Sequence, residues 1–177
     1  MTDELPTAPF AAAVYRPDTG DRMALLRFVE QLKSEQVRVG GLLQEARFNA
    51  NGEISGLDAI DVLTDQRVPI TRPAENDGEC TFDVSALADT TAILRNAINQ
   101  RLDLVVVEKF GELEQDGKGL IDEIFQTIAA DIPLLISVSE AALPLWQERS
   151  GELGSVLAFN VESFRQWWQN LEQDTSD

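Results

Sequence analysis

The chain has 177 residues, of which 44% are hydrophobic and 25% charged, and this length and composition suit a single domain with a full core. Its 14 basic and 31 acidic residues give a formal charge of −17, which disfavours binding to nucleic acid and to anionic membranes. The lack of histidine and the single cysteine exclude His-based catalytic triads, an intrachain disulfide and a zinc site built from several cysteines, and we predict no metal site. No apolar run approaches the ~20 residues of a membrane span and the N-terminus does not resemble a signal peptide, so we expect a cytoplasmic protein without membrane insertion.

The first half of the chain predicts strands, one helix and a hairpin after a loose start. Residues 1–9 are expected to form a flexible acidic tail, and residues 10–172 a single domain. The predicted elements are a strand (10–14), a helix (21–36), a second strand (37–43) and a β-hairpin (54–71). The Gly40-Gly41 pair inside the second strand indicates a close backbone approach or a bend.

The second half alternates helices with aliphatic strands. The predicted elements are a helix capped by Ser85, a strand (102–107), a helix ending near Ala130, a strand (133–138), a short helix containing Trp146, a strand (155–159) and a final helix capped by Asn160. Trp167 and Trp168 lie on the apolar stripe of that helix, which favours core packing over a base-stacking platform. Residues 173–177 are expected to be a frayed acidic tail.

This alternation predicts an α/β fold, with a mostly parallel sheet, helices on both faces and the 54–71 hairpin at one edge. Ligands of such sheets bind at the carboxyl ends of the parallel strands. Two loops that follow predicted strands are therefore the candidate sites.

The first loop, residues 15–22, resembles a Walker A loop without its phosphate chemistry. That motif needs a Gly, a Lys that neutralises phosphate charge and a Ser or Thr that reaches magnesium, but Tyr15, Asp21 and Arg22 occupy those places. A carboxylate ~4 Å from a phosphate costs several kcal/mol. The candidate ligand-binding residues are Arg16, Pro17, Thr19, Gly20, Asp21 and Arg22. The alternative is an ordinary strand-to-helix turn in which Asp21 or Thr19 caps the helix.

The second loop, residues 108–119, resembles a Walker B segment, in which an acid after an apolar strand holds magnesium. Glu108 takes that place and is the catalytic residue if there is one, but Lys109 stands where a second acid would orient water. Lys109, Lys118 and the backbone around Gly117 and Gly119 could instead bind an anion. The candidate ligand-binding residues here are Lys109, Phe110, Gly111, Glu114, Gly117, Lys118 and Gly119, with Gln44 and Arg47 from the end of the second strand. The alternative is a solvated acidic loop in which Glu108 pairs with Lys109.

These segments resemble two families. The VRVGG segment at 37–41, the hairpin and the strand from Asp103 to Glu114 resemble the small Walker-type nucleoside-triphosphatases, which implies a P-loop NTPase-like fold. Over nearly the whole chain, the sequence also resembles an uncharacterised bacterial domain-of-unknown-function family whose genes often accompany molybdate-transport genes. That resemblance is carried by GLLQ at 41–44, CTFD at 80–83, the Phe-Gly-x-x-Glu-x-x-Gly-x-Gly spacing at 110–119, IPLL at 132–135 and Trp167-Trp168. It implies a setting in molybdenum uptake, with molybdenum-system proteins as candidate partners.

We therefore expect a P-loop-like protein that has lost hydrolysis and binds an anionic ligand, either a nucleotide with magnesium or an oxyanion such as molybdate, or a partner. The alternatives are a nucleoside-triphosphatase with an atypical phosphate loop and an accessory protein that acts through its surface. Asp21 stands where the Walker A motif has a lysine, and Lys109 stands where the Walker B segment has a second acid. This exchange suggests the hypothesis that the two face each other as an ion pair.

Overall fold

The computed structural model describes residues 8–73, 80–82 and 84–176. Within these ranges, seven strands form one sheet. Their order is β4 (Arg67–Pro69), β3 (Ile54–Asp61), β2 (Val39–Phe48), β7 (Leu104–Val107), β8 (Leu134–Ser139), β1 (Phe10–Tyr15) and β9 (Ser155–Ala158). Strands β5 (Thr71–Pro73) and β6 (Cys80–Phe82) form a separate two-stranded ribbon. Strands β2, β7, β8, β1 and β9 run parallel, whereas β3 and β4 are antiparallel and end one edge. The predicted α/β fold with an edge hairpin is confirmed. No helix in the described part of the chain is both long and apolar enough to cross a membrane.

The first half of the chain follows the predicted order, with different boundaries. Its elements are β1 (Phe10–Tyr15), α1 (Ala24–Ser34), β2 (Val39–Phe48), β3 (Ile54–Asp61), β4 (Arg67–Pro69), β5 (Thr71–Pro73) and β6 (Cys80–Phe82). Helix α1 begins three residues after the expected start because residues 21–23 form a turn. Strand β2 continues past Leu43, since its polar second half pairs with β3.

The second half contains α2 (Val84–Asn99), β7 (Leu104–Val107), α3 (Glu112–Gln115), α4 (Ile121–Ala129), β8 (Leu134–Ser139), α5 (Leu143–Arg149), β9 (Ser155–Ala158) and α6 (Val161–Ser176). Helix α2 begins at Val84, so Ser85 lies inside its first turn and is not the N-cap. Pro144 lies in the first turn of α5, where its missing N–H costs little. The Asn160 side chain accepts a hydrogen bond from the Ser163 N–H at 2.7 Å, as expected of a cap. Helix α6 continues to Ser176, through residues predicted to be a frayed tail.

Two hydrophobic cores lie on opposite faces of the sheet. One contains Phe110 and Trp146 with residues of α2 and α4, and the other joins α1 to α6 through Phe28, Phe164 and the two adjacent tryptophans. Trp167 and Trp168 are 4% and 8% exposed, so their predicted role in the core is confirmed. Helices therefore cover both faces and fix the direction of every loop that leaves the sheet.

Gly41 allows β2 to lie unusually close to β7. Its φ is +111°, and a Cβ at this position would lie 2.8 Å from Val106 N. The predicted close approach is thus real, and it places the backbone of β2 beside the end of β7, where Glu108 follows.

Candidate functional site

Both predicted loops leave the carboxyl edge of the sheet, but they are not neighbours. Loop 15–22 follows β1 and loop 108–119 follows β7. Strand β8 lies between these strands and pairs with both, so the loops start about 10 Å apart at ~4.8 Å per strand. The segment after β8, which begins at Glu140, lies between them.

Loop 15–22 is closed by its own hydrogen bonds. The Arg16 N–H donates to Thr19 Oγ1 at 2.8 Å and the Thr19 N–H to the Arg16 carbonyl at 3.0 Å. The Arg22 guanidinium donates back to the Arg16 carbonyl at 3.1 Å and lies 5.4 Å from the centre of the Tyr15 ring. Three of the predicted ligand groups, Arg16 N–H, Thr19 and Arg22, therefore hold the turn itself.

Asp21, at the place of the Walker lysine, is paired within the same segment. Its carboxylate forms an ion pair with Arg27 on α1 and accepts the Met23 N–H at 3.0 Å. Asp21 does not cap α1, because the helix begins at Ala24 and Met23 occupies the N-cap position. The hypothesis of an ion pair between Asp21 and Lys109 is wrong, because Arg27, one turn into α1, reaches the carboxylate first and β8 separates the two loops.

A crevice of about 630 Å³ opens between loop 15–22, β9 and the segment after β8. We call it the carboxyl-edge crevice. Its residues are Val14, Arg16, Asp18, Thr19, Gly20, Asp21, Glu140, Leu143, 156–159 and Asn160. Arg16 Nε lies 3.2 Å from Glu140 Oε2, so the one arginine that lines the crevice is paired. Asp21 is paired with Arg27, which leaves Asp18 as the acid of this lining without an ion pair among the described residues, so the rim keeps one uncompensated negative charge.

A second hollow of about 610 Å³ lies on the other side of Glu140 and is lined by Tyr15, Pro17, Arg22 and residues 139–141. The six candidates of the first loop are thus divided between two hollows. Glu140 lines both hollows.

Glu108 is partly buried where β7 ends beside β2. Its Oε2 accepts the Gln44 N–H at 3.0 Å, and its own N–H donates to the Leu42 carbonyl at 2.8 Å. Burial raises the pKa of the Glu108 carboxyl, while the Gln44 N–H and the charge of Lys109 oppose that rise. The carboxylate is therefore anchored to β2 and is a weaker acid than a solvated glutamate.

The Phe-Gly-x-x-Glu-x-x-Gly-x-Gly segment is held together by Glu114. Its carboxylate accepts the Gly111 N–H and the Leu120 N–H, each at 3.1 Å. Burial raises the pKa of Glu114, and these N–H groups oppose the rise. The Gly117 N–H donates to the Glu114 carbonyl at 3.1 Å, so it is not free for a ligand. Phe110 is buried and meets Trp146 edge to face, with ring centres 5.4 Å apart.

Lys109 and Lys118 differ from these residues because they are exposed. Within the described ranges, neither ammonium group lies within ion-pair distance of a carboxylate. The alternative in which Glu108 pairs directly with Lys109 is therefore not observed, although the lysine lowers the pKa of that acid. A role of the two lysines in anion binding stays a prediction.

Gln44 and Arg47 lie inside β2 rather than at its end. Arg47 Nε lies 2.8 Å from the buried carboxylate of Asp58 on β3, and its NH2 donates to the Thr71 carbonyl at 2.9 Å. The guanidinium therefore ties β2 to the hairpin and is not turned to either loop.

Sequence reasoning missed three residues of this edge. Glu140 and Arg27 reach loop 15–22 from other elements, and Asn160 lines the crevice as well as capping α6. The position of Glu140 directly after a buried strand was an available signal, because it is the place where carboxyl-edge ligands are bound in such sheets.

Comparisons with known proteins add a family and a fold. The model of the family described as "Protein of unknown function (DUF2478)" matches residues 10–167. This match confirms the predicted resemblance to an uncharacterised family.

Among curated proteins, the chain is 33% identical over 161 residues to the "Molybdenum import ATP-binding protein ModC 2" of Bradyrhizobium diazoefficiens. The match covers 90% of this chain but 18% of that protein. The chain thus corresponds to a small part of the relative.

The fold is similar to that of THEP1 from the hyperthermophile Aquifex aeolicus, with a TM-score of 0.61 over 86% of this chain and 91% of that chain. At 16% sequence identity this likeness concerns the fold alone. It agrees with the predicted α/β fold, a mostly parallel sheet with helices on both faces.

Proposed function

The chain belongs to the DUF2478 family, and we propose that it is a P-loop-like domain that does not hydrolyse nucleotides and serves molybdenum import as an accessory, acting through a partner protein. The proposal has two parts, the loss of hydrolysis and the setting. Each part has its own support and its own test.

The loss of hydrolysis rests on Asp21 and its ion pair with Arg27. A Walker loop needs a free ammonium at this place to meet phosphate charge, and a hydroxyl at the next to reach magnesium. Here a carboxylate is already neutralised within the chain, and Arg22 is bonded to its own loop. These residues do not fit a magnesium-bound triphosphate, so we derive no hydrolytic step.

The setting rests on the Bradyrhizobium relative, whose name assigns it to molybdenum import. Most of that relative lies outside the region that matches this chain. We infer that a domain of this kind works beside the ATP-binding protein of a molybdenum import system.

A phosphate-release assay tests the first part. The chain with magnesium and ATP or GTP is expected to release no more phosphate than Glu108→Gln, which lacks the acid at the Walker B place. A magnesium-dependent release that Glu108→Gln abolishes would instead support the nucleoside-triphosphatase alternative.

Copurification tests the second part. The tagged chain, expressed in its host, is expected to retain the ATP-binding protein of the molybdenum import system, while a tagged unrelated acidic protein of similar size does not. Failure to retain it, both in the host and with purified components, would contradict the partner role.

A second candidate function, binding of an anionic ligand, is supported by the unpaired Lys109 and Lys118. Calorimetry with molybdate, ATP and GTP would detect it, and Lys109→Ala should then weaken binding. Arg101→Ala is the matched control, because it removes one positive charge from the opposite, amino edge of the sheet, at an exposed position before β7. If the unmutated chain binds none of these anions, the partner role alone remains.

A further inference from the structure

Strand β9, of four residues, is the free edge of the main sheet on the side of β1. It pairs with β1 on one side and is the last strand in the order of the described sheet. An edge strand presents unpaired N–H and C=O groups, and proteins usually protect such a strand by keeping it very short or with charges, proline or a bulge. Strand β9 is short but has none of the chemical protections. The sequence of β9, Ser-Val-Leu-Ala, contains no charged residue and no proline.

The same edge exposes apolar surface. Val156 is 50% exposed within the strand, and Leu153, just before it, is 65% exposed. Val156 and Ala158 point to the exposed face of β9, and both line the carboxyl-edge crevice. The crevice therefore has an apolar wall that runs along a strand whose backbone is open to pairing.

The rim of the crevice adds a charge preference. Three acids line it, and two of them are already paired, Glu140 with Arg16 and Asp21 with Arg27. Asp18 has no ion pair among the described residues, so the rim keeps one uncompensated negative charge. The whole chain carries −17. A segment that carries lysine or arginine is attracted to this rim, whereas an acidic segment is repelled.

We propose that an extended segment of a partner protein pairs with the free edge of β9, places alternate apolar side chains along the Val156 wall and directs a lysine or arginine to Asp18. Strand addition of this kind draws affinity from main-chain hydrogen bonds and specificity from alternate side chains. The inference rests on the proposed partner role and assigns the edge of β9 as the surface that binds the partner. A second copy of this chain is a poorer occupant, because it would bring an equally acidic rim and the same net charge against the first.

Two variants test the surface with purified molybdenum import ATP-binding protein from the same host. Val156→Asp puts a charge in the middle of the exposed face of β9, and Ile54→Asp is the matched control, because Ile54 is 62% exposed at the start of β3, on the far side of the sheet from β9. We expect Val156→Asp to weaken the affinity by about tenfold or more, which is the effect of substituting a residue at the centre of an interface. Ile54→Asp should leave the affinity within about twofold of the unmutated chain. Circular dichroism of both variants checks that they fold.

Hydrogen exchange gives a second, direct readout. A synthetic peptide of about eight residues that alternates Val and Lys should slow amide exchange in residues 155–158, whereas a Val and Glu peptide of the same length should not. Equal effects of both peptides, or protection elsewhere than β9, would overturn the assignment. So would a dimer of the unmutated chain that Val156→Asp dissociates, because the occupant would then be a second copy.

The two proposals fail in different ways. If the import protein binds the unmutated chain and Val156→Asp with equal affinity, the partner role stands and the β9 surface is refuted. If the import protein does not bind but the Val and Lys peptide still protects β9, the surface stands and the molybdenum partner is refuted.

Discussion

Substitution of alanine for Gly119 should destabilise the protein far more than the same change at Gly117, two residues earlier. Both glycines have positive φ, +60° and +78°, so each alanine incurs the same backbone penalty of about 1 kcal/mol. Their surroundings differ. A Cβ at Gly117 meets nothing within 4 Å, whereas a Cβ at Gly119 would overlap Glu114 Oε2 and lie 2.9 Å from its Cδ.

The additional cost at Gly119 follows from the bonds that Glu114 makes. To avoid the new Cβ, the carboxylate must move away from the N–H groups of Gly111 and Leu120, both at 3.1 Å. Because Glu114 is only partly buried and water replaces part of each bond, we count about 1 kcal/mol for each. The expected losses of unfolding free energy are about 3 kcal/mol for Gly119→Ala and about 1 kcal/mol for Gly117→Ala.

Urea unfolding of the two variants measures this difference, and thermal unfolding should show midpoints about 9 and 3 °C below the unmutated chain at about 3 °C per kcal/mol. A double-mutant cycle identifies the cause. In a Glu114→Ala background, Gly119→Ala should cost about 1 kcal/mol for the backbone and a smaller strain from the 3.0 Å approach to Leu113 Cβ, because the carboxylate is no longer there. Equal costs for the two glycines, or an unchanged cost in the Glu114→Ala background, would refute the idea that Glu114 is the reason why position 119 requires glycine.

Three further predictions concern buried polar groups. Because burial raises the native pKa of Glu108 above its ordinary value of 4.5, the native state holds the proton more tightly, and this group's contribution to stability is lost as pH rises above 4.5. Urea midpoints at several pH values should therefore show Glu108→Gln gaining stability relative to the unmutated chain across that window, and a pH-independent difference would contradict this. Arg47→Ala should lose about 2 kcal/mol, since it leaves the buried Asp58 with only Arg67 at 3.6 Å; a loss no larger than that of Arg67→Ala in the same denaturation assay would count against it. Ser137→Ala should be neutral or stabilise by up to about 1 kcal/mol, because its buried hydroxyl has no hydrogen-bond partner among the described residues, and a clear loss of thermal stability would show a partner.

The sequence predicted the order of the elements because hydrophobic periodicity is a local signal. Leu104 to Val107 could be read as a central strand from four successive apolar residues, and their complete burial follows. The second half of β2 could not be read in this way. Gln44 and Arg47 are polar, and they lie in a strand only because β3 pairs with them and Asp58 neutralises the arginine.

The candidate site shows the same division between local and distant information. The place of loop 15–22 after a buried strand was readable, and so was the loss of the Walker lysine. The ion-pair partners of the loop residues were not readable to the same degree. Arg27 could have been found from its position one turn into α1, but the contact of Glu140 with Arg16 depends on β1 and β8 being neighbours, which no local pattern reveals. For this reason the sequence suggested an ion pair with Lys109 where the structure has two others.

The position of β8 between β1 and β7 makes the two loops independent modules. Each loop follows its own strand and is held by its own contacts. Arg27 pairs with Asp21 of loop 15–22, and Glu114 accepts hydrogen bonds within loop 108–119 and from the Leu120 N–H that follows it. A lysine could be restored at Asp21 without any compensating change at Lys109, and the Glu114 segment could be altered without releasing loop 15–22. The same spacing means that the two substitutions need not have arisen together, so relatives with one altered loop and one intact loop are physically viable intermediates.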